Sequence, residues 1–231
     1  LVFPRPVALK INPFFDPKRA FFLDWKSNFS NPVSDQLKTS FFKMANNKLN
    51  LRFGIVGALI FMAALSRLLP HPPNFSPIGG IALFGAAWFS KKYWAVLIPV
   101  LAMWVSSLIL DNIFLAQYYD GFVWFSHPFV YVSILLIVLF GRLVLKNTSP
   151  ARLVGASLGA STIFYLVSNF GVWATSMVTY PKTLEGLMAC YAAGLPFFGW
   201  TLAGDLFYVT VLFGTFEWVR RQYPTLVSET R

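Results

Sequence analysis

SRLLPHPPNFSPIGGIALFGAAWF, residues 66–89, ends one apolar run on an arginine, turns through four prolines and enters a second apolar run rich in glycine and alanine. The prolines are Pro70, Pro72, Pro73 and Pro77, and they surround His71 and Asn74. Proline fixes φ and removes an N–H donor, so the segment reads as a rigid hairpin between two helices. A core helix of a water-soluble domain has no need of such a hairpin. Between two membrane-embedded runs it would present His71 and Asn74 at the mouth of a helix bundle, as the rim of a binding site.

The rest of the chain fits that setting. Of its 231 residues 56% are hydrophobic and only 12% charged, whereas soluble domains carry about 25% charged residues. Twenty-five Phe and eight Trp supply the aromatic excess of a membrane protein with interfacial belts. The net charge of +10 therefore reads as basic loops held on one side of a bilayer. Neither a long block of like charges nor a nucleic-acid motif accompanies it, so no nucleic-acid partner is expected. The single cysteine, Cys190, excludes an internal disulfide and a cysteine-built metal site. The chain contains no nucleophile elbow, zinc-helix motif, P-loop or dinucleotide fingerprint. It is expected to be no enzyme, to need no cofactor or metal, and to have no means of its own to spend ATP.

Residues 1–43 mix Pro, Phe, Asp and Lys without helical periodicity and contain no run long enough to span. They read as an extension ahead of the true start at Met44, or as a real but disordered segment. Residues 44–231 form a single membrane domain. A helical span needs roughly 20 apolar residues, and six candidates follow one another at about 53–69, 77–92, 93–110, 129–145, 153–173 and 196–219. The expected fold is thus all-α, a polytopic bundle of six transmembrane helices. Residues 182–195 are too few to cross and read as a re-entrant or interfacial helix.

The basic residues orient the bundle. From Met44 onward all of them except Arg67 and Lys182 fall on one side if both termini are cytoplasmic, as the positive-inside rule requires. The intramembrane polar groups then gather in the outer half: Arg67, Asp111, Asn112, Asn169, Trp173 and Asp205. With a rise of about 1.5 Å per residue, Asp205 lies two to three turns inside the last span. A carboxylate at that depth must be protonated, paired or hydrated. Arg67 is the one cation at comparable depth and is expected to pair with Asp205 or Asp111.

Ser157, Ser161, Tyr165, Asn169 and Trp173 recur every four residues and share a face of the fifth span, and Thr201, Asp205 and Tyr208 share one of the sixth. Such residues serve either as interhelical packing groups or as the lining of a cavity. Packing suits Ser157 and Ser161, whereas a cavity suits Asp205, Asn169 and Asn74. The candidate ligand-binding set is His71, Asn74, Asp111, Asn112, Asn169, Trp173 and Asp205. The loop 111–128 (DNIFLAQYYDGFVWFSHP) has two readings, an interfacial aromatic belt or a lid over a medium-sized organic ligand. Gly54 with Ala58, and Gly155 with Gly159, are small-xxx-small pairs that permit close helix approach.

The segments RLLPHPPNFSPIGGIALFGAAWF, SNFGVWATS and YPKTLEGLMACYAAGLPFFGWTLAGDLFYV resemble a family of small bacterial six-span membrane proteins. That family is similar to the substrate-binding (S) components of energy-coupling-factor (ECF) transporters. The resemblance covers residues 51–217. It implies a multi-pass protein of the bacterial cytoplasmic (inner) membrane that binds a vitamin-like micronutrient in an outward-facing pocket. It also implies partners, a transmembrane coupling subunit and two ATPases, with Gly54 and Ala58 as docking positions on the first span. Two other readings stand beside it. One is a structural or assembly membrane protein, the other an ion-coupled carrier using Asp205.

Overall fold

The computed structural model describes residues 32–175 and 180–223. The chain divides into a unit Leu1–Lys48 and a compact unit Leu49–Arg231. Residues 1–31, most of the expected extension, lie outside the described residues. Met44 marks no boundary in the backbone, since one helix runs from Pro32 through it.

Six α-helices and no strand occur among the described residues: α1 (Pro32–Leu65), α2 (Ile78–Trp88), α3 (Lys92–Ile109), α4 (Pro128–Val144), α5 (Pro150–Thr175) and α6 (Leu184–Gln222). Four stretches are long and apolar enough to cross a membrane, namely Leu51–Leu68, Lys92–Phe114, Pro150–Thr175 and Leu184–Gln222. The described residues are thus all-helical and of membrane-spanning character.

Two elements depart from the expected spans. α2 has 11 residues, so at ~1.5 Å per residue it covers about half of a ~30 Å hydrocarbon core. It stops at Trp88, short of Lys91 and Lys92, and Phe89 and Lys91 are extended. The second departure is in α6. Residues 182–195 form no separate re-entrant helix, because α6 continues unbroken through Pro196 for 39 residues. The start of α6 is fixed by Thr183, whose hydroxyl accepts the N–H of Gly186 at 3.2 Å. Proline costs a helix one hydrogen bond and does not end it where neighbouring helices hold both halves in place.

α2 is the axis of the bundle. Ten of its eleven residues are buried, and it packs against α3, α4, α5 and α6. A helix apolar on every side must be enclosed on every side, and glycines make room for the enclosure. A Cβ on Gly80 would lie 2.7 Å from the Cβ of Tyr208 on α6. On the opposite face, a Cβ on Gly85 would lie 3.0 Å from the carbonyl of Ala95 on α3, and Gly141 of α4 faces Ala86 as closely. Phe84 packs edge-on against Phe213 and Phe216, and Trp88 lies 4.4 Å from Phe216 between ring centroids.

Both ends of α2 meet charge of the sign its dipole favours. At the N-terminus the Asp205 carboxylate of α6 accepts the N–H of Gly80 at 3.2 Å. At the C-terminus Arg52 of α1 donates to the Trp88 carbonyl at 3.1 Å. Arg142 of α4 donates there too, to the carbonyls of Phe89 at 3.1 Å and Ser90 at 3.0 Å. The Gly80 N–H and the Trp88 carbonyl, one orphan group at each end of a helix that ends inside the bundle, are thereby satisfied.

The Gly79 Cα lies so close to Asp205 that an added Cβ would sit 2.3 Å from both carboxylate oxygens, whereas one on Gly54 would meet nothing within 4 Å. Gly79→Ala is expected to cost about 1–3 kcal/mol through overpacking, and Gly54→Ala close to nothing. Thermal melts of the two variants in the same detergent check this.

Candidate functional site

The Pro-rich hairpin folds as its sequence directs. The Phe75 N–H donates to the Pro72 carbonyl at 3.1 Å, with Pro73 and Asn74 between them. Asn74 has φ +63°, so this is a type II turn, with proline at the first central position and an αL-tolerant residue at the second. Phe75 then rests on Phe207 and Tyr208 of α6. The backbone of Ser76 crosses α6 at Gly204, where a Cβ would lie 2.9 Å from the Ser76 nitrogen.

The turn opens beside a cavity of about 360 Å³ walled by the start of α4, the second half of α5 and the first half of α6. Asn74, His127 and Tyr180 bring three different loops to its mouth. Phe129, Phe164, Phe197 and Phe198 give it an aromatic wall, and Ser168, Asn169, Thr175 and Thr201 give it polar points. The hydroxyls of Ser168, Thr175 and Thr201 each donate to the carbonyl four residues earlier, at 2.6–3.2 Å. Their oxygens remain as acceptors. Asn169 donates to the Tyr165 carbonyl at 2.8 Å. Its Oδ1 faces Gly194 so closely that a Cβ there would lie 2.3 Å away. Tyr165 and Tyr191 lock the same helix pair, since each phenol donates to a backbone carbonyl on the opposite helix at 2.6 and 3.0 Å.

No Asp, Glu, Lys or Arg lines this cavity among the described residues. His127 is its one imidazole. The ring keeps part of its surface in solvent, yet desolvation holds its pKa below the ordinary 6.5, against the opposing pull of Asp111.

Of the residues singled out in the sequence, the structure brings Asn74 and Asn169 together here, with His127 from the loop 111–128. The others lie elsewhere. His71 is exposed and its ring contacts the neighbouring Pro72 carbonyl. Asn112 ties down the aromatic loop, donating to the Val123 carbonyl at 2.9 Å and accepting the Val123 N–H at 2.7 Å. Trp173 donates from its indole to the Pro181 carbonyl at 2.9 Å. Asp111 accepts the Ser126 hydroxyl at 2.6 Å. The rings of Tyr118, Phe122, Trp124 and Phe125 are exposed and outside the cavity wall, the arrangement of a belt. Gly54 and Ala58 are both exposed on α1.

The expected ion pair of Arg67 with Asp205 or Asp111 does not form. The Arg67 guanidinium donates to the hydroxyls of Ser106 and Ser107 at 3.1 and 3.2 Å. Asp205 is 1% exposed. Besides Gly80 it accepts the Ser161 hydroxyl at 2.6 Å, and it contributes nothing to the cavity wall. Backbone N–H groups at a helix start and one serine satisfy this carboxylate without a cation.

Sequence reasoning missed the phenylalanines of the wall, Ser168, Thr175, Tyr180 and Gly194. Phenylalanine is too common in this chain to mark a site, and the narrow crossing at Gly194 shows only when α5 and α6 are seen together.

Asp205→Ala would remove both acceptors from α2 and Ser161. Loss of the cap and two unpaired buried donors together are expected to cost roughly 2–5 kcal/mol. Asp205→Asn keeps an acceptor for Gly80 and is expected to lose less. Unfolding of the purified variants, compared with Asn169→Leu as a cavity control near wild type, checks the order.

Residues 47–226 match the model of a family described as a family of unknown function (DUF6580). No curated protein and no solved structure matches the chain. The matched region takes in the whole of α2 to α6 and the apolar part of α1, together with every residue of the cavity. On that match the chain belongs to the DUF6580 family.

Proposed function

We propose that this protein is a membrane-embedded binding component that takes a small, uncharged organic micronutrient into the cavity between α4, α5 and α6. The observation that carries the reading is the chemistry of that cavity. Its volume falls within the ~300–1,000 Å³ of ligand pockets, and its aromatic wall with a few fixed polar points is how such pockets hold a ring. The hydroxyls and Asn169 Oδ1 offer acceptors, so the ligand would present N–H or O–H donors. The absence of charged side chains from the wall argues against a carboxylate, phosphate or ammonium ligand, since a buried charge needs a partner.

Resemblance to ECF S components would add the next step, passage of the ligand inward with a coupling subunit and two ATPases. The exposed small residues Gly54 and Ala58 offer α1 as the contact face. In this reading both termini are cytoplasmic, the cavity faces outward and the membrane is the bacterial inner membrane. Asp205 is a poor place to test the idea, because its partners give it a packing role. The competing assembly role accounts for Asp205 but leaves the cavity unexplained.

The test is mass spectrometry of small molecules released from the protein purified in mild detergent. A single near-stoichiometric neutral compound is expected, reduced at least about tenfold in Asn169→Leu, with melting unchanged. A well-folded preparation that neither carries such a compound nor takes one up from a panel of neutral vitamins would sink the proposal. Binding is also expected to be constant above pH 6.5, where His127 is neutral, and to weaken only at more acid pH as the ring charges. Titration of the released ligand against pH reads this directly.

A further inference from the structure

At the opposite end of the bundle lies a second cavity, of about 500 Å³, between the start of α5 and the last turns of α6. It has an apolar trough and a cationic rim. Leu153, Leu206, Val209 and Phe213 form the trough, and Thr148, Arg220 and Arg221 stand at its edge. Glu217 also lines it and pairs with both arginines, accepting from Arg220 at 2.7 Å and Arg221 at 3.0 Å. One carboxylate shared by two guanidiniums leaves a net positive rim with N–H donors to spare.

Trp88 supplies an independent sign of a missing partner. It lines the same cavity and is only 9% exposed, yet its indole N–H has no hydrogen-bond acceptor. A buried indole donor normally finds one. The donors around this cavity are thus the unmet Trp88 indole N–H and the two guanidiniums that share the Glu217 carboxylate, above an apolar floor.

We propose that this cavity binds an anionic phospholipid. The phosphate would sit on Arg220 and Arg221, whose planar forks match phosphate oxygens, with the positive first turn of α5 at Pro150 beside them. The Trp88 nitrogen has no accessible surface here, so the indole would turn toward the trough for an ester carbonyl to take its N–H, and an acyl chain would lie along Leu153, Leu206 and Phe213. A soluble phosphate ester would satisfy the rim but leave the trough empty, and a zwitterionic lipid would fill the trough but add a choline cation beside two arginines.

The experiment is native mass spectrometry of the full chain, purified in detergent and titrated with phosphatidylglycerol or phosphatidylcholine of identical chains. Preferential retention of phosphatidylglycerol is expected. Arg220→Gln with Arg221→Gln should weaken it roughly ten- to thirty-fold, and Trp88→Phe, which keeps the ring and loses the donor, about three- to ten-fold. Phosphatidylcholine retention should not change. The arginines are exposed side chains, so the double variant should fold and decides the matter if Trp88→Phe does not. Equal retention of the two lipids, or a double variant that holds phosphatidylglycerol like wild type, overturns the proposal. So does glycerol phosphate binding as tightly as the lipid, since the site would then take a soluble ester. Asn169→Leu, in the other cavity, should leave lipid retention untouched.

Discussion

The acceptance of the Gly80 N–H by Asp205 is the interaction on which the rest of the bundle depends. A helix of 11 residues cannot reach from one face of a bilayer to the other. It therefore brings at least one end, with unpaired N–H groups, into a medium that offers no water. A carboxylate is the strongest acceptor a side chain provides and carries the sign that a helix N-terminus favours. The arginines at the other end complete the pattern. Each of the three charges also belongs to a different helix, so capping α2 ties α1, α4 and α6 to the same axis.

Enclosing α2 so tightly has a geometric result. Where glycine faces neighbour, at Gly79, Gly80, Gly85 and Gly141, helices touch and no space is left. Beyond the N-terminus of α2, that central filler is gone. α4, α5 and α6 continue past it and are separated by phenylalanines and small polar side chains, and the cavity of about 360 Å³ opens there. A half-length core helix and a pocket above it are two aspects of one arrangement. The Pro-rich turn then closes part of the gap by placing Asn74 where α2 would otherwise have continued.

Much of this was legible in the chain. The positions of six apolar helical elements follow from run length, and the turn at Asn74 follows from Pro-Pro-Asn. The four-residue recurrence of Ser161, Tyr165, Asn169 and Trp173 marked the face of α5 that meets α6 and its loops. The rest was hidden for stated reasons. Hydrophobicity does not distinguish a helix wrapped by protein from one wrapped by lipid, so α2 read as a span. Asp205 has a backbone partner, and residue types cannot announce a backbone partner, so the sequence points to Arg67 as the counter-ion. Arg52 and Arg142 read as marks of membrane sidedness, and only the fold shows them capping carbonyls. Pro196 read as a helix start because its tolerance inside α6 is set by neighbours, not by the local sequence.

The prolines of the hairpin have a role that rigidity alone does not capture. The segment 69–77 descends from the end of α1 to the buried start of α2 and cannot use a helical ladder on the way. Every peptide N–H along such a path needs an acceptor. Four of its nine residues are proline and have no N–H, and two more are paired, Leu69 donating back to the Ser66 carbonyl and Phe75 to that of Pro72. The entry into the bundle is thus a length of backbone from which most of the hydrogen-bond demand has been removed before it leaves water.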